Sequence, residues 1–336
     1  MAKIGIPRTL AYFIYFPFWK AFFEALGHEV VESSPTTRVI MDQGVKDTVS
    51  DACIPIKIYH GHVEDLINRV DYVFVPRLVS LRKFGDFGTE TLCPKFLGLP
   101  DMVRASVGGS LNMLEPRIDL KKGHNELFKV YRELGEKLGA AGLAIHKAFW
   151  RASWTQRKYE RLLQKGIMPD TAIEHVFAAD RTGLEDKKDI AGDNPLRLGV
   201  VGYPYAIYDQ YINVGLLTML DKAGVKVFTQ DMLSHAQLKR QASKLEKDLF
   251  WYFSNRAVQG ALYYMDVEPV DGIIHITAFA CGPDSIVDKY LEIEAKKRKI
   301  PYMSVTIDEH TGEAGMQTRM EAFLDMLEYR RRKSES

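Results

Sequence analysis

Three cysteines occur in the 336-residue chain, and each is followed within two positions by a proline. Cys53 opens "CIPIK", Cys93 opens "CPKFL", and Cys281 lies in "AFACGPDSIV". With 14 prolines in the whole chain, this threefold pairing marks one kind of backbone turn used three times. A proline at the start of a helix fixes the first turn and lacks only an N–H that would be orphaned there. A cysteine just ahead of it lies beside the unpaired N–H groups of that turn, whose dipoles favour a thiolate and can donate to sulfide. The prolines are therefore expected to build three thiolate seats.

Several chemistries compete for such seats. Free cysteines are among the most buried residue types, so each could be a small core hydrophobe. Zinc wants four tetrahedral ligands, usually with two in a close pair. Here the ligands would be 40 and 188 residues apart, which fits zinc poorly. A nucleophile at Cys281 would need a base, for which His275 on the preceding strand and His310 are candidates, but Cys53 and Cys93 would then be unexplained. An iron–sulfur cluster takes thiolates from distant positions, and three of them leave one iron open.

The elements that must position these residues read as alternating strands and helices. "KIGIPRTLAYFIYFPFWKAFFEALGHEVVES" is a strand ending at Pro7, a helix through Phe18, Trp19, Phe22, Phe23 and Leu26, a stop at Gly27, and a second strand. "RLGVVGYPYAIYDQYINVGLLTMLDKAGVKVFTQD" repeats the design, with Pro204 and Gly224 separated by the same 20 residues as Pro7 and Gly27. After Cys53 a helix leads into the strand "DYVFVPRL". "GIIHITAF" and "PYMSVTI" are later strands, each followed by a helix. Alternation without tight hairpin signals predicts an α/β fold of two Rossmann-like lobes with parallel sheets. The lobes are expected over 1–116 and 194–336, joined by a helical bridge and linker over 117–193. In open α/β sheets ligands gather at the carboxyl ends of strands, where Cys281 and the Asp308-Glu309-His310 group fall.

Composition sets outer limits. The chain is 46% hydrophobic, 11% aromatic and 26% charged, with 45 basic against 44 acidic residues and a net charge of +1. That balance gives no global field for nucleic acid or anionic lipid. No basic region followed by a long apolar one opens the sequence, and "LAYFIYFPFW" is short and broken by Pro17, so neither a signal peptide nor a membrane span is expected. Few, widely spaced cysteines predict reduced thiols and a cytoplasmic protein. The aromatic set Tyr12, Phe13, Tyr15 and Phe16 is read as core or as a subunit interface, and the apolar patch it would form predicts a dimer. Lys57 and Arg319 could attract an anionic substrate, although such residues are more often solvated surface charges.

Together "GIPRTLAYFIYFPFWKAFFEALG", "DACIPIKIYHGHV", "LCP", "GYPYAIYDQYINVG", "AFACGPDSIV" and "DEHTGEAGMQTRMEAF" resemble a known family. The chain is similar to the iron–sulfur subunits of 2-hydroxyacyl-CoA dehydratases, and more closely to the acyl-CoA dehydratase activase-related proteins built on the same fold. Double-cubane cluster proteins are more distant relatives and use more cysteines. The resemblance implies a [4Fe–4S] cluster in the cleft between the lobes, held by residues matching Cys53, Cys93 and Cys281, with Gly282 beside it. It implies low-potential electrons from a separate ATP-dependent activator that carries its own cluster, and a homodimer or a heterodimer with a related subunit. No Gly-rich phosphate loop is present to supply ATP hydrolysis in this chain. The activity implied is an electron-transfer component, or an ATP-activated reductase or lyase acting on a small molecule such as an acyl-CoA. His310, Glu309 and Lys57 are the candidate catalytic groups. The alternative is a binding or scaffold subunit with a structural cluster.

Overall fold

The computed structural model describes residues 1–81, 90–107, 111–123, 125–178, 194–245 and 249–335. They divide into two compact units. Unit 1 is Met1–Leu163 with Ile167–Phe177 and Lys247–Tyr252; unit 2 is Gln164–Gly166 with Ala178–Glu246 and Phe253–Ser336. The charged segment expected to be a surface linker falls almost wholly at 179–193, outside the described residues. No helix among the described residues is long and apolar enough to cross a membrane.

Unit 1 begins with β1 (Lys3–Ile6), α1 (Tyr12–Ala25), β2 (Glu29–Glu32), α2 (Arg38–Asp47), α3 (Ile54–Leu66), β3 (Tyr72–Phe74) and β4 (Arg77–Ser80). It continues through α4 (Pro94–Leu97), α5 (Leu99–Val107), β5 (Met113–Leu114), β6 (Arg117–Asp119), α6 (Asn125–Lys137), α7 (Gly142–Gln164) and α8 (Pro169–Phe177). Four strands form a parallel sheet in the order β2-β1-β3-β5, and β4 pairs with β6 in a separate parallel ribbon. The expected strand "DYVFVPRL" is therefore two strands, broken where Pro76 removes a ladder donor.

Unit 2 contains β7 (Arg197–Gly202), α9 (Pro204–Tyr208), α10 (Leu216–Lys222), β8 (Lys226–Phe228), α11 (His235–Ala242) and α12 (Tyr252–Asp266, from its second residue on). It ends with β9 (Gly272–Ala278), α13 (Gly282–Lys297), β10 (Tyr302–Ile307) and α14 (Glu313–Glu335). Its parallel sheet runs β10-β9-β7-β8. In both sheets the first strand in sequence has the second on one side and the third on the other, so the repeated design is one topology used twice. Gly27 and Gly224 end the corresponding helices with φ of 85° and 68°, a conformation that favours glycine. The copies differ after the first strand. Unit 2 has two short helices where one was expected, because Val214 and Gly215 turn left-handed and Asn213 bonds both Ile207 O and Leu216 N.

The aromatic run of α1 is core. Tyr12, Phe13, Phe16, Phe18 and Trp19 are all buried, with Phe18 edge-on to Tyr131 and Phe149 and Trp19 edge-on to Phe74. The exposed apolar patch that argued for a dimer is thus absent from this segment; α6 and α7 cover it. Pro17 explains one contact. A proline cannot donate to the carbonyl four residues back, and that carbonyl, Phe13 O, instead accepts from the buried Tyr159 hydroxyl at 2.6 Å.

Candidate metal centre

All three cysteines are helix N-cap residues with extended backbone, ahead of α3, α4 and α13, and each has proline in the first two helical positions. All three are half-buried thiols. The seat at Cys53 is set by a close helix crossing. A Cβ on Gly44 would lie 1.8 Å from Lys57 O, and one on Gly61 would lie 1.9 Å from Ile40 O. Only glycines let α2 and α3 approach so closely, and the turn that carries Cys53 is the link between them. The seat at Cys93 is tied to this turn by Lys95, whose Nζ donates to Asp51 O at 2.8 Å.

These two thiols feel each other. Burial pushes the Cys53 thiol up, the Lys95 ammonium and the N–H of Ile56 pull it back, and the neighbouring Cys93 raises it again. Burial also pushes Cys93 up, against the N–H groups of Phe96 and Lys95 and the Lys95 charge. The first-turn dipoles act in the expected direction, but burial outweighs them. Burial thus raises both thiols in the metal-free chain. Iron or another thiophilic ion would have to displace their protons.

Cys281 belongs to unit 2, at the carboxyl end of β9. Ala280 before it is left-handed at φ 62°, while Gly282 after it is exposed, with open space where a side chain would stand. Beneath this turn lies a network that sequence reading touched only through His275. This histidine is fully buried in β9, with Nε2 3.2 Å from Asp284 Oδ1 and Nδ1 3.0 Å from Asp288 Oδ1. Tyr302 donates to Asp288 Oδ1 at 2.8 Å. Burial opposes the imidazolium, but the two carboxylates prevail and hold His275 at about 9. Asp288 is held below the ordinary carboxylate range by His275, Ser304 and Tyr302, against its burial. The pattern that could have revealed this is a histidine inside an apolar strand followed by aspartates four apart on the next helix.

The remaining candidates divide between the units. Lys57 sits one turn after Cys53 and is only 5% exposed, so it is not a solvated surface charge. Glu309 and His310 follow β10 beside the loop that carries Cys281, since Ala278 pairs with Ile307 across the two strands. His310 is exposed and its N–H donates to Asp308 Oδ1 at 2.9 Å, in a turn also closed by Thr311. Arg319 donates to Ser304 O at 2.6 Å. His62 is buried between the hydroxyls of Ser33, 2.8 Å away, and Thr36, 3.0 Å away; burial lowers it to about 3, so it is a neutral structural group. Among the described residues no three His, Cys, Asp or Glu side chains are gathered in a metal-binding group.

Two parallel α/β units with cysteine-capped helices define the class, and sequence comparison gives the family. Residues 3–233 match the CoA enzyme activase uncharacterised domain (DUF2229), and the chain belongs to that family. Residues 162–327 match the 2-hydroxyglutaryl-CoA dehydratase D-component. No individual curated protein matches the chain.

Proposed function

We propose that this protein is a [4Fe–4S] protein of an ATP-activated two-component system, with Cys53, Cys93 and Cys281 as the ligands of one cluster. The observation that carries this reading is the Cys53–Cys93 pair: two thiols within electrostatic range, each at a proline-started helix, with Cys281 in the same backbone setting. Soft sulfur donors beside backbone N–H groups suit an iron–sulfur cluster, whose potential is set by such hydrogen bonds and by solvent exposure. When bound, the cluster would supply a low-potential electron and one iron without a protein thiolate. Lys95 brings positive charge to the cysteine turns of unit 1, which favours the thiolates. The open space at Gly282 leaves room beside Cys281. Glu309 and His310 are the groups that would hold or move a proton for a small molecule there.

The electrons are proposed to come from a separate ATP-dependent activator with its own iron–sulfur cluster, since this chain has no Gly-rich phosphate loop. Cytoplasmic location and assembly as a homodimer or heterodimer belong to the same proposal. Anaerobic purification tests it. About four irons and four sulfides per chain are expected for one cubane, with loss or conversion of the cluster in Cys53→Ala, Cys93→Ala and Cys281→Ala alike. Full iron and an unchanged spectrum in any of these variants, or zinc in place of iron, would overturn the ligand set. Equal rates of reduction by the activator with and without ATP would remove the activator while leaving the cluster standing.

A further inference from the structure

The two sides of α7 differ sharply. Ile145, Ala148, Ala152, Tyr159 and Leu163 are buried and hold the helix on unit 1. On the opposite side run Leu143, Lys147, Trp150, Trp154, Arg157 and Arg161, alternately four and three residues apart and all exposed. That alternation is the seam of a coiled coil, which keeps one line of side chains facing a neighbouring helix. Leu143 is 70% exposed, Trp150 72% and Trp154 50%. A single exposed apolar side chain needs no explanation, but three large ones in a line mark an interaction surface.

The seam is also charged. α7 carries five basic residues against one acidic, in a chain whose totals of 45 and 44 nearly cancel. The side chains of Lys147, Arg151, Arg157 and Arg161 have no hydrogen bond or ion pair among the described residues. Lys158, on the flank, is engaged by His175 O, and the one acid, Glu160, accepts from Gln156. The cations of the seam thus await carboxylates that α7 itself does not supply.

We propose that this face docks an acidic amphipathic helix of a partner protein, with aliphatic side chains over Leu143, Trp150 and Trp154 and carboxylates opposite Lys147, Arg151, Arg157 and Arg161. Helix recognition of this kind uses anchors at such spacing. A second copy of α7 fits badly. Antiparallel about the tryptophans it sets Lys147 against Arg157, and parallel it sets each cation against itself; like charges facing each other weaken an interface. An anionic membrane fits no better, because Lys147 lies within the apolar line, between Leu143 and Trp150, and would be carried toward the acyl layer with them. The seven-residue repeat is that of a helical partner rather than of a phosphate backbone. None of these residues is a proposed cluster ligand, so the surface stands or falls separately from the cluster.

The test uses the full chain and a stapled helical peptide of about three heptads, with leucine at its core positions and glutamate beside them. Fluorescence anisotropy of the labelled peptide should rise saturably, and binding should weaken as salt is added. A version with lysine in place of glutamate should not bind. Arg157→Glu with Arg161→Glu should weaken the acidic peptide by about tenfold or more and let the lysine peptide bind, a gain that misfolding could not produce. Trp150→Ala with Trp154→Ala should weaken the acidic peptide by a similar factor. No saturable binding of the acidic peptide overturns the proposal, as does equal binding of the lysine peptide or unchanged affinity in the charge-reversed variant. Tighter binding of a phosphatidylserine vesicle or of a duplex DNA oligonucleotide than of the acidic peptide would assign the face to a membrane or a nucleic acid and overturn the helical partner.

Discussion

The ammonium of Lys95 reaches back to the carbonyl of Asp51, 2.8 Å away, and so fastens the Cys93 turn to the Cys53 turn. One residue thereby supplies both a tether and a positive charge to the two thiols. Lys95→Met removes both and leaves the buried core intact. For the proposed cluster, we expect chelator to strip iron from the variant several-fold faster, with thermal unfolding almost unchanged because Lys95 is itself only half-buried. A melting temperature that fell sharply while the rate of metal loss stayed constant would make Lys95 a purely structural residue.

The α2–α3 crossing predicts a contrast between two glycines. Gly61→Ala places a methyl on the Ile40 carbonyl and must separate the helices, destabilising the protein by about 2 kcal/mol or more. Gly142 at the start of α7 has open space around it, and Gly142→Ala should stabilise by roughly 0.5 kcal/mol through helix propensity and a less free unfolded chain. Urea midpoints decide the matter, and equal midpoints for the two variants would show that the crossing relaxes without penalty.

Tyr159 and Pro17 form a testable pair. Tyr159→Phe leaves the buried Phe13 carbonyl without the hydroxyl it accepts from, a loss of about 1–3 kcal/mol. In a Pro17→Ala background residue 17 regains an N–H directed at that carbonyl, so the same tyrosine change should be smaller. A double-mutant cycle measures the difference; additivity would mean that the hydroxyl and the missing N–H do not serve the same oxygen.

The His275 network predicts a pH dependence with a definite sign. Its folded pKa of about 9 lies above the ordinary 6.5, so its contribution to stability is complete below pH 6.5 and is lost as pH rises through 9. Asp288 is depressed, so its share is present above the ordinary carboxylate value near 3.8 and is lost only as pH falls below it. His275→Gln leaves two carboxylates without their buried cation and should cost about 3 kcal/mol near neutrality. Denaturation at pH 6, 7.5 and 9 should show wild-type stability declining on the alkaline side more steeply than the variant's. Parallel curves would assign the decline to other groups.

Much of this was legible in the sequence because it depends on local backbone chemistry. A proline in the first helical turn and a left-handed glycine past the last one act on their own neighbours, so both copies of the strand–helix–strand design could be read from Pro7 and Gly27, and from Pro204 and Gly224. The three cysteine caps follow from the same local rule. What surrounds those elements does not. Whether the α1 aromatics face solvent, a second subunit or the core was decided by α6 and α7, more than 100 residues further on. Lys57 reads as a surface charge on its own helix and is buried by its surroundings. Burial pushes the Cys53 and Cys93 thiols up, and burial depends on everything packed over the sulfur, whereas the helix dipole that sequence does reveal reaches only the first turn. The nearness of Cys53 to Cys93 and the Lys95–Asp51 tether are both products of tertiary packing, because each joins groups that no sequence spacing relates.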